Sequence, residues 1–92
     1  MRQIENAVVI ARIWFDSVNG NTYHSARIII NGGEADFKKP IVYGYGDSYM
    51  TTAAEIALEN GYTRDNMTRD ALRNWLKSNA IIDVVSVKKR DL

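Results

Sequence analysis

One histidine, His24, and no cysteine rule out thiol chemistry and leave a single imidazole as a candidate base in this chain. The missing cysteines exclude disulfides, thiol nucleophiles and thiolate metal sites. A general base needs an orienting partner and a nearby substrate. His24 instead falls in an alternating apolar segment, opposite Phe15, where it reads as a core or rim residue of a sheet. The carboxylates are scattered, and one histidine among them gives no metal-ligand spacing. No metal, no cofactor and no catalytic residue is expected.

Gly44-Tyr45-Gly46-Asp47-Ser48 is a glycine-containing loop ahead of a predicted helix, a place where an anion can bind. It lacks the dinucleotide and P-loop spacings, and Asp47 would repel phosphate. A turn followed by a helix cap is the better reading. The tyrosines around it, Tyr43, Tyr45 and Tyr49, combine large contact area with low entropy cost. They read equally as a binding rim or as the edge of an aromatic core. Arg64, Arg69 and Arg73 lie on one loop and helix, with Arg69 and Arg73 spaced i, i+4 on an exposed face. Lys88-Lys89-Arg90 reads as a solvated C-terminal tail.

The richest constellation lies on the element that must position it, a long β-hairpin from Ala7 to Gly33. Asn19-Gly20 between two β-branched apolar runs is a strong hairpin signal, because a type I′ turn needs positive φ at both central residues. A two-residue loop pairs Val18 with Asn21, Asp16 with Tyr23, Phe15 with His24, Trp14 with Ser25 and Arg12 with Arg27. A three-residue loop would mix apolar and polar side chains on both faces and is rejected on that ground. One face then carries Val9, Ala11, Ile13, Phe15, Ala26, Ile28 and Ile30 and is core. The other carries Arg12, Trp14, Asp16, Tyr23, Ser25 and Arg27. Such a face can be plain solvated sheet, in which aromatic pairs contribute roughly 0.2–1 kcal/mol each. Two arginines set opposite each other are not what local stability asks for, and aromatics beside arginines are enriched at interfaces and on single-stranded nucleic-acid platforms. Arg12, Trp14, Tyr23 and Arg27, with Tyr43 and Tyr45, are therefore the candidate partner-binding residues.

The remaining elements are read from punctuation and periodicity. Lys38-Lys39-Pro40 leads into a third strand at Ile41–Tyr45, with Pro40 at its start or on an edge. A helix runs from about Tyr49 to Asn60, capped by Asp47 or Ser48, with Met50, Ala53, Ala54, Ala57 and Leu58 as its apolar stripe and Gly61 at C′. A second helix starts at Thr68 as N-cap, stapled by Met67 and Leu72, and turns Leu72, Trp75 and Leu76 to the core. Ile81 to Lys88 is nearly all apolar, as expected of a central strand or one covered on both faces. The expected fold is a single α+β domain over residues 1–92, in the order β-β-β-α-α-β, with an antiparallel sheet and both helices on one face.

Ninety-two residues suffice for one modest core. A formal charge of +1 argues against both a bulk DNA-coating protein and an acidic DNA mimic, so any electrostatic role must be local. No apolar run approaches the roughly 20 residues of a membrane span, and no membrane partner is expected.

The run from Ala11 to Arg27, with Trp14-Phe15-Asp16 ahead of Val18-Asn19-Gly20-Asn21 and Tyr23-His24-Ser25 behind it, resembles the opening hairpin of small uncharacterised proteins of phages and mobile elements. Tyr43-Gly44-Tyr45-Gly46-Asp47 is similar to the segment that comes after that hairpin in them. The resemblance spans about half the chain and brings no catalytic residue with it. It implies a short accessory protein that binds host machinery, including anti-CRISPR-like inhibitors of host defence, in a bacterial cytoplasm. The expected function is non-enzymatic binding of a host protein. The alternatives are nucleic-acid binding by the same face, binding of a small nucleotide, and self-association as a homodimer through an unpaired strand edge.

Overall fold

The computed structural model describes residues 1–92. The elements are β1 (Arg2–Gln3), β2 (Ala7–Asp16), β3 (Asn21–Ile30), β4 (Ala35–Tyr43), α1 (Ser48–Glu59), β5 (Tyr62–Thr63), α2 (Arg69–Asn79) and β6 (Ile81–Ser86). Short 3₁₀ turns fall at Asn31–Gly33 and Lys89–Asp91. Four strands form the main sheet in the order β4-β3-β2-β6, and β1 pairs with β5 apart from it. The fold is α+β with two helices, but the sheet is mixed rather than antiparallel, because β6 runs parallel to β2. β4 points the same way as β2, and a crossover through helices on one face returns the chain in that direction.

The hairpin corrects the expected register by two residues. Trp14 faces Tyr23, Arg12 faces Ser25, Ile10 faces Arg27, Ile13 faces His24 and Asp16 faces Asn21. The connection is Ser17–Gly20, not Asn19-Gly20 alone. Asp16 organises it: Oδ1 accepts from the backbone of Val18 (3.1 Å) and Asn19 (3.3 Å), and Oδ2 accepts from Asn19 Nδ2 at 2.8 Å. Gly20 closes the loop at φ +70°, donating to the Asp16 carbonyl at 2.7 Å, while Asn19 keeps a negative φ. Asn-Gly therefore does not form a type I′ turn, because the aspartate's local hydrogen bonds favour a wider loop. A slip of two preserves the alternation of faces, so each residue keeps its expected side while every cross-strand pair changes, although Ser25 on the open side is buried.

The core lies between the sheet and the helices. Val9, Ala11, Ala26, Ile28 and Ile30 from the sheet are fully buried, as are Ala53, Ala54 and Ala57 of α1 and Leu72 and Leu76 of α2. Trp75 and Leu58 pack at its margin. The Thr68 hydroxyl accepts from Ala71 N at 3.3 Å, the N-cap bond expected of it. The molecule is elongated, 42 × 23 × 21 Å, because β2 and β3 run on past the helices. That overhang leaves Phe15, expected in the core, 58% exposed.

The two outer strands depart furthest from expectation. β4 begins at Ala35, well before Ile41, and carries Pro40 where its register against β3 shifts. β6 is not central: it is an edge, and all six of its residues are exposed.

Candidate interaction face

Opposite the helices, the sheet overhang assembles an unbroken aromatic row. The Trp14 and Tyr23 rings stack across β2 and β3 at 5.5 Å and 24°. Tyr23 continues to Tyr43 on β4 at 5.6 Å, and Tyr43 meets Tyr45 edge-on at 5.5 Å. The two-residue register correction creates this row, since it sets Trp14 beside Tyr23 in place of Ser25. Tyr43 Oη donates to Tyr45 Oη (3.0 Å), and Tyr45 Oη donates to the Gly20 carbonyl (3.3 Å), so the tyrosine loop is tied back to the hairpin turn. The bond to Tyr45 pushes the Tyr43 hydroxyl pKa above its ordinary value. Gly44 permits this path: a Cβ there would lie 2.3 Å from Ser48 Oγ. Tyr49 leaves the group and packs on the core.

The C-terminal segment turns back along this face, with Lys88, Lys89 and Arg90 exposed as expected of a solvated tail. Lys89 Nζ stands 5.6 Å from the Trp14 ring centroid, a cation–π contact. Trp14, Asp16, Tyr23, Ile41, Lys89 and Leu92 line a shallow hollow of about 290 Å³. Neither Ile41 nor Leu92 was legible as a site residue, because their place depends on the β4 register and the fold of the tail.

The arginines do not form the like-charge pair expected of Arg12 and Arg27. Arg27 makes a two-pronged bond to Asp36 on β4, Nε to Oδ1 at 2.7 Å and Nη2 to Oδ2 at 2.5 Å. The bond raises the Arg27 pKa and lowers that of Asp36. Arg12 Nη2 lies 3.5 Å from Asp83 of β6. Beside them, Ile10, Arg12, Ser25, Arg27, Lys38 and Asp91 line a second hollow of about 250 Å³. Its two arginines are already paired, Arg12 with Asp83 and Arg27 with Asp36, and Asp91 adds a carboxylate to its wall.

The other candidates resolve into structure. His24 is 2% exposed, with Nε2 2.7 Å from Thr52 Oγ1, and burial lowers its pKa. Asp47 does not cap α1 with its side chain. It accepts from Lys77 Nζ and Arg73 Nη2, both at 2.7 Å, which tie α2 to the start of α1 and lower the Asp47 pKa. Arg73 is thus half-buried and engaged, Arg69 pairs with Glu55, and Arg64 stacks on Trp75 at 5.1 Å. No helix is long and apolar enough to cross a membrane. No family model matches the chain, and no curated protein or solved structure matches it.

Proposed function

We propose that this chain is a non-enzymatic binding protein that engages a protein partner through the row Trp14, Tyr23, Tyr43 and Tyr45. The observation that carries this reading is the row itself: four contiguous rings on a sheet face that the helices leave bare. Rigid aromatic anchors of this kind dominate interface energies. The resemblance to phage and mobile-element proteins directs the reading toward a host protein, with an anti-CRISPR-like inhibitor of host defence as the working identity. Charge separates this from nucleic-acid binding. A single-strand platform needs free cations along its stacking rings. Here Arg12 and Arg27 are held by Asp83 and Asp36, and Lys89 is the cation in contact with the row.

The test is capture from nuclease-treated bacterial lysate, identification of the retained protein, and titration of that protein with wild type and Trp14→Ala. Loss of about 2 kcal/mol or more, a factor of about thirty in Kd, is expected. Unchanged affinity with an intact fold overturns the assignment. Capture that depends on nucleic acid and collapses with added salt moves the function to nucleic-acid binding.

A further inference from the structure

An edge strand usually carries lysine, proline or a bulge to keep other strands away. β6 carries none of these: Ile81, Ile82, Val84 and Val85 are all exposed, on both faces of a strand paired on one side only. Its outward hydrogen-bonding groups can be identified. Val87 N–H donates to the Ile13 carbonyl at 2.8 Å, so the odd-numbered residues direct their backbone groups to β2. Ile82, Val84 and Ser86 therefore direct theirs away from the sheet.

We propose that β6 pairs antiparallel with β6 of a second copy about a two-fold axis perpendicular to the sheet, Val84 facing Val84. Antiparallel partners must share a face, so a two-fold pairing has to centre on a residue. Centring on Asp83 would set two aspartates directly opposite, which is unfavourable. Centring on Ile82 or Val85 leaves outward groups unpaired at one end. Centring on Val84 matches Val84 with Val84 and Ile82 with the partner's Ser86, and these are the residues whose N–H and C=O point outward. It also sets Asp83 opposite the partner's Val85. Arg12 is the β2 neighbour of Val85 and already lies 3.5 Å from its own Asp83. The pairing therefore flanks each arginine with an aspartate from both copies, and the charges alternate across the joint. On the helix side Val84 meets Val84 and Ile82 meets the partner's Ser86, and on the open side Val85 meets the partner's Asp83 and Ile81 meets the partner's Val87. The edge complements itself in hydrogen bonds and charge, with Val84 against Val84 as its apolar centre, which is why a second copy is its occupant. The two four-stranded sheets become one continuous sheet, with both aromatic rows on the same side.

Sedimentation and light scattering of the full chain test this, together with site-directed cross-linking. The wild type should have twice the 10.4 kDa chain mass. Val84→Pro removes an outward N–H without touching the β2 ladder, and should give a folded monomer. Because the chain has no cysteine, Val84→Cys should cross-link quantitatively under mild oxidation. A facing hydrogen-bonded pair brings Cα atoms to about 5.5 Å, within disulfide reach. Ile82→Cys should not cross-link, since four residues of offset separate the thiols by roughly 13 Å. If Val84→Pro does not fold, the cysteine pair decides. A wild type that stays monomeric at high concentration, a dimer that persists in folded Val84→Pro, or cross-linking through Ile82→Cys in preference to Val84→Cys overturns the proposal.

Discussion

The two edges of this sheet are built by opposite rules. β4 has Lys38, Lys39 and Pro40 in a row, with a register shift at the proline that breaks its regular edge. Those features deter strand addition. β6, on the other side, has a straight run of β-branched residues interrupted by one aspartate, and that aspartate is occupied by Arg12. Composition by itself makes β6 look like a core strand and β4 a loop margin. The difference teaches that an apolar strand signals burial without saying who supplies the cover. Here no element of the chain covers β6, and the proposed pairing fills that edge with a second copy.

The contrast is sharpest in stability. Ile28, at the centre of the sheet, is fully buried, whereas Ile81 is 69% exposed. Ile28→Ala should cost about 2–5 kcal/mol in urea unfolding. Ile81→Ala should change the dilute protein by less than about 0.5 kcal/mol, as for other surface positions. A core-sized loss for Ile81→Ala in dilute solution would show that β6 is held by its own fold and would remove the contrast.

The other edge can be stripped of its protection. Replacing Lys39 and Pro40 together by valine should let β4 add strands as well, so that light scattering reports species larger than a dimer. A variant that behaves as the wild type does would place the protection in the twist of β4, not in its residue types.

The smallest effect concerns the buried histidine that links β3 to α1. Burial holds the folded-state pKa of His24 below its ordinary 6.5, so the unfolded chain binds the proton more readily. Stability from this group is present above pH 6.5 and is lost as pH falls through the interval below it. The lowered aspartates Asp16, Asp36 and Asp47 lose their contributions only below their ordinary 3.8, so the two windows separate. The Tm should decline as pH drops below 6.5, before the aspartates begin to titrate, and His24→Gln should flatten that decline. An equal slope in both proteins would show that the histidine is not responsible.

Periodicity made much of this fold legible. The apolar stripes of both helices, the Thr68 cap and the division of the hairpin into a core face and a bare face all come from local rules. The faces survived even a mistaken register, because side chains alternate with a period of two and the slip was also two. Trp14 and Tyr23 were legible together by their parity on the hairpin, and Tyr43 and Tyr45 were singled out as loop tyrosines; the row that joins the four needed the place of β4 beside β3. Their stacking order was not legible, since it depends on how Asp16 folds the turn.

What the residues dictated alone is therefore the type, extent and sidedness of most elements, properties set by neighbours within a few positions. Long-range pairing needed the assembled fold. Arg12 meets Asp83 and Arg27 meets Asp36 across strands that the sequence leaves in no particular order, and those contacts occupy the two arginines that make the face look basic. The helical crossover carries β6 to an outer edge, because a chain returning over one sheet face can add its last strand only beside an unpaired one. An apolar hexapeptide looks the same in a buried strand and in an exposed one. Only the packing around it decides whether it completes a core or awaits a second chain.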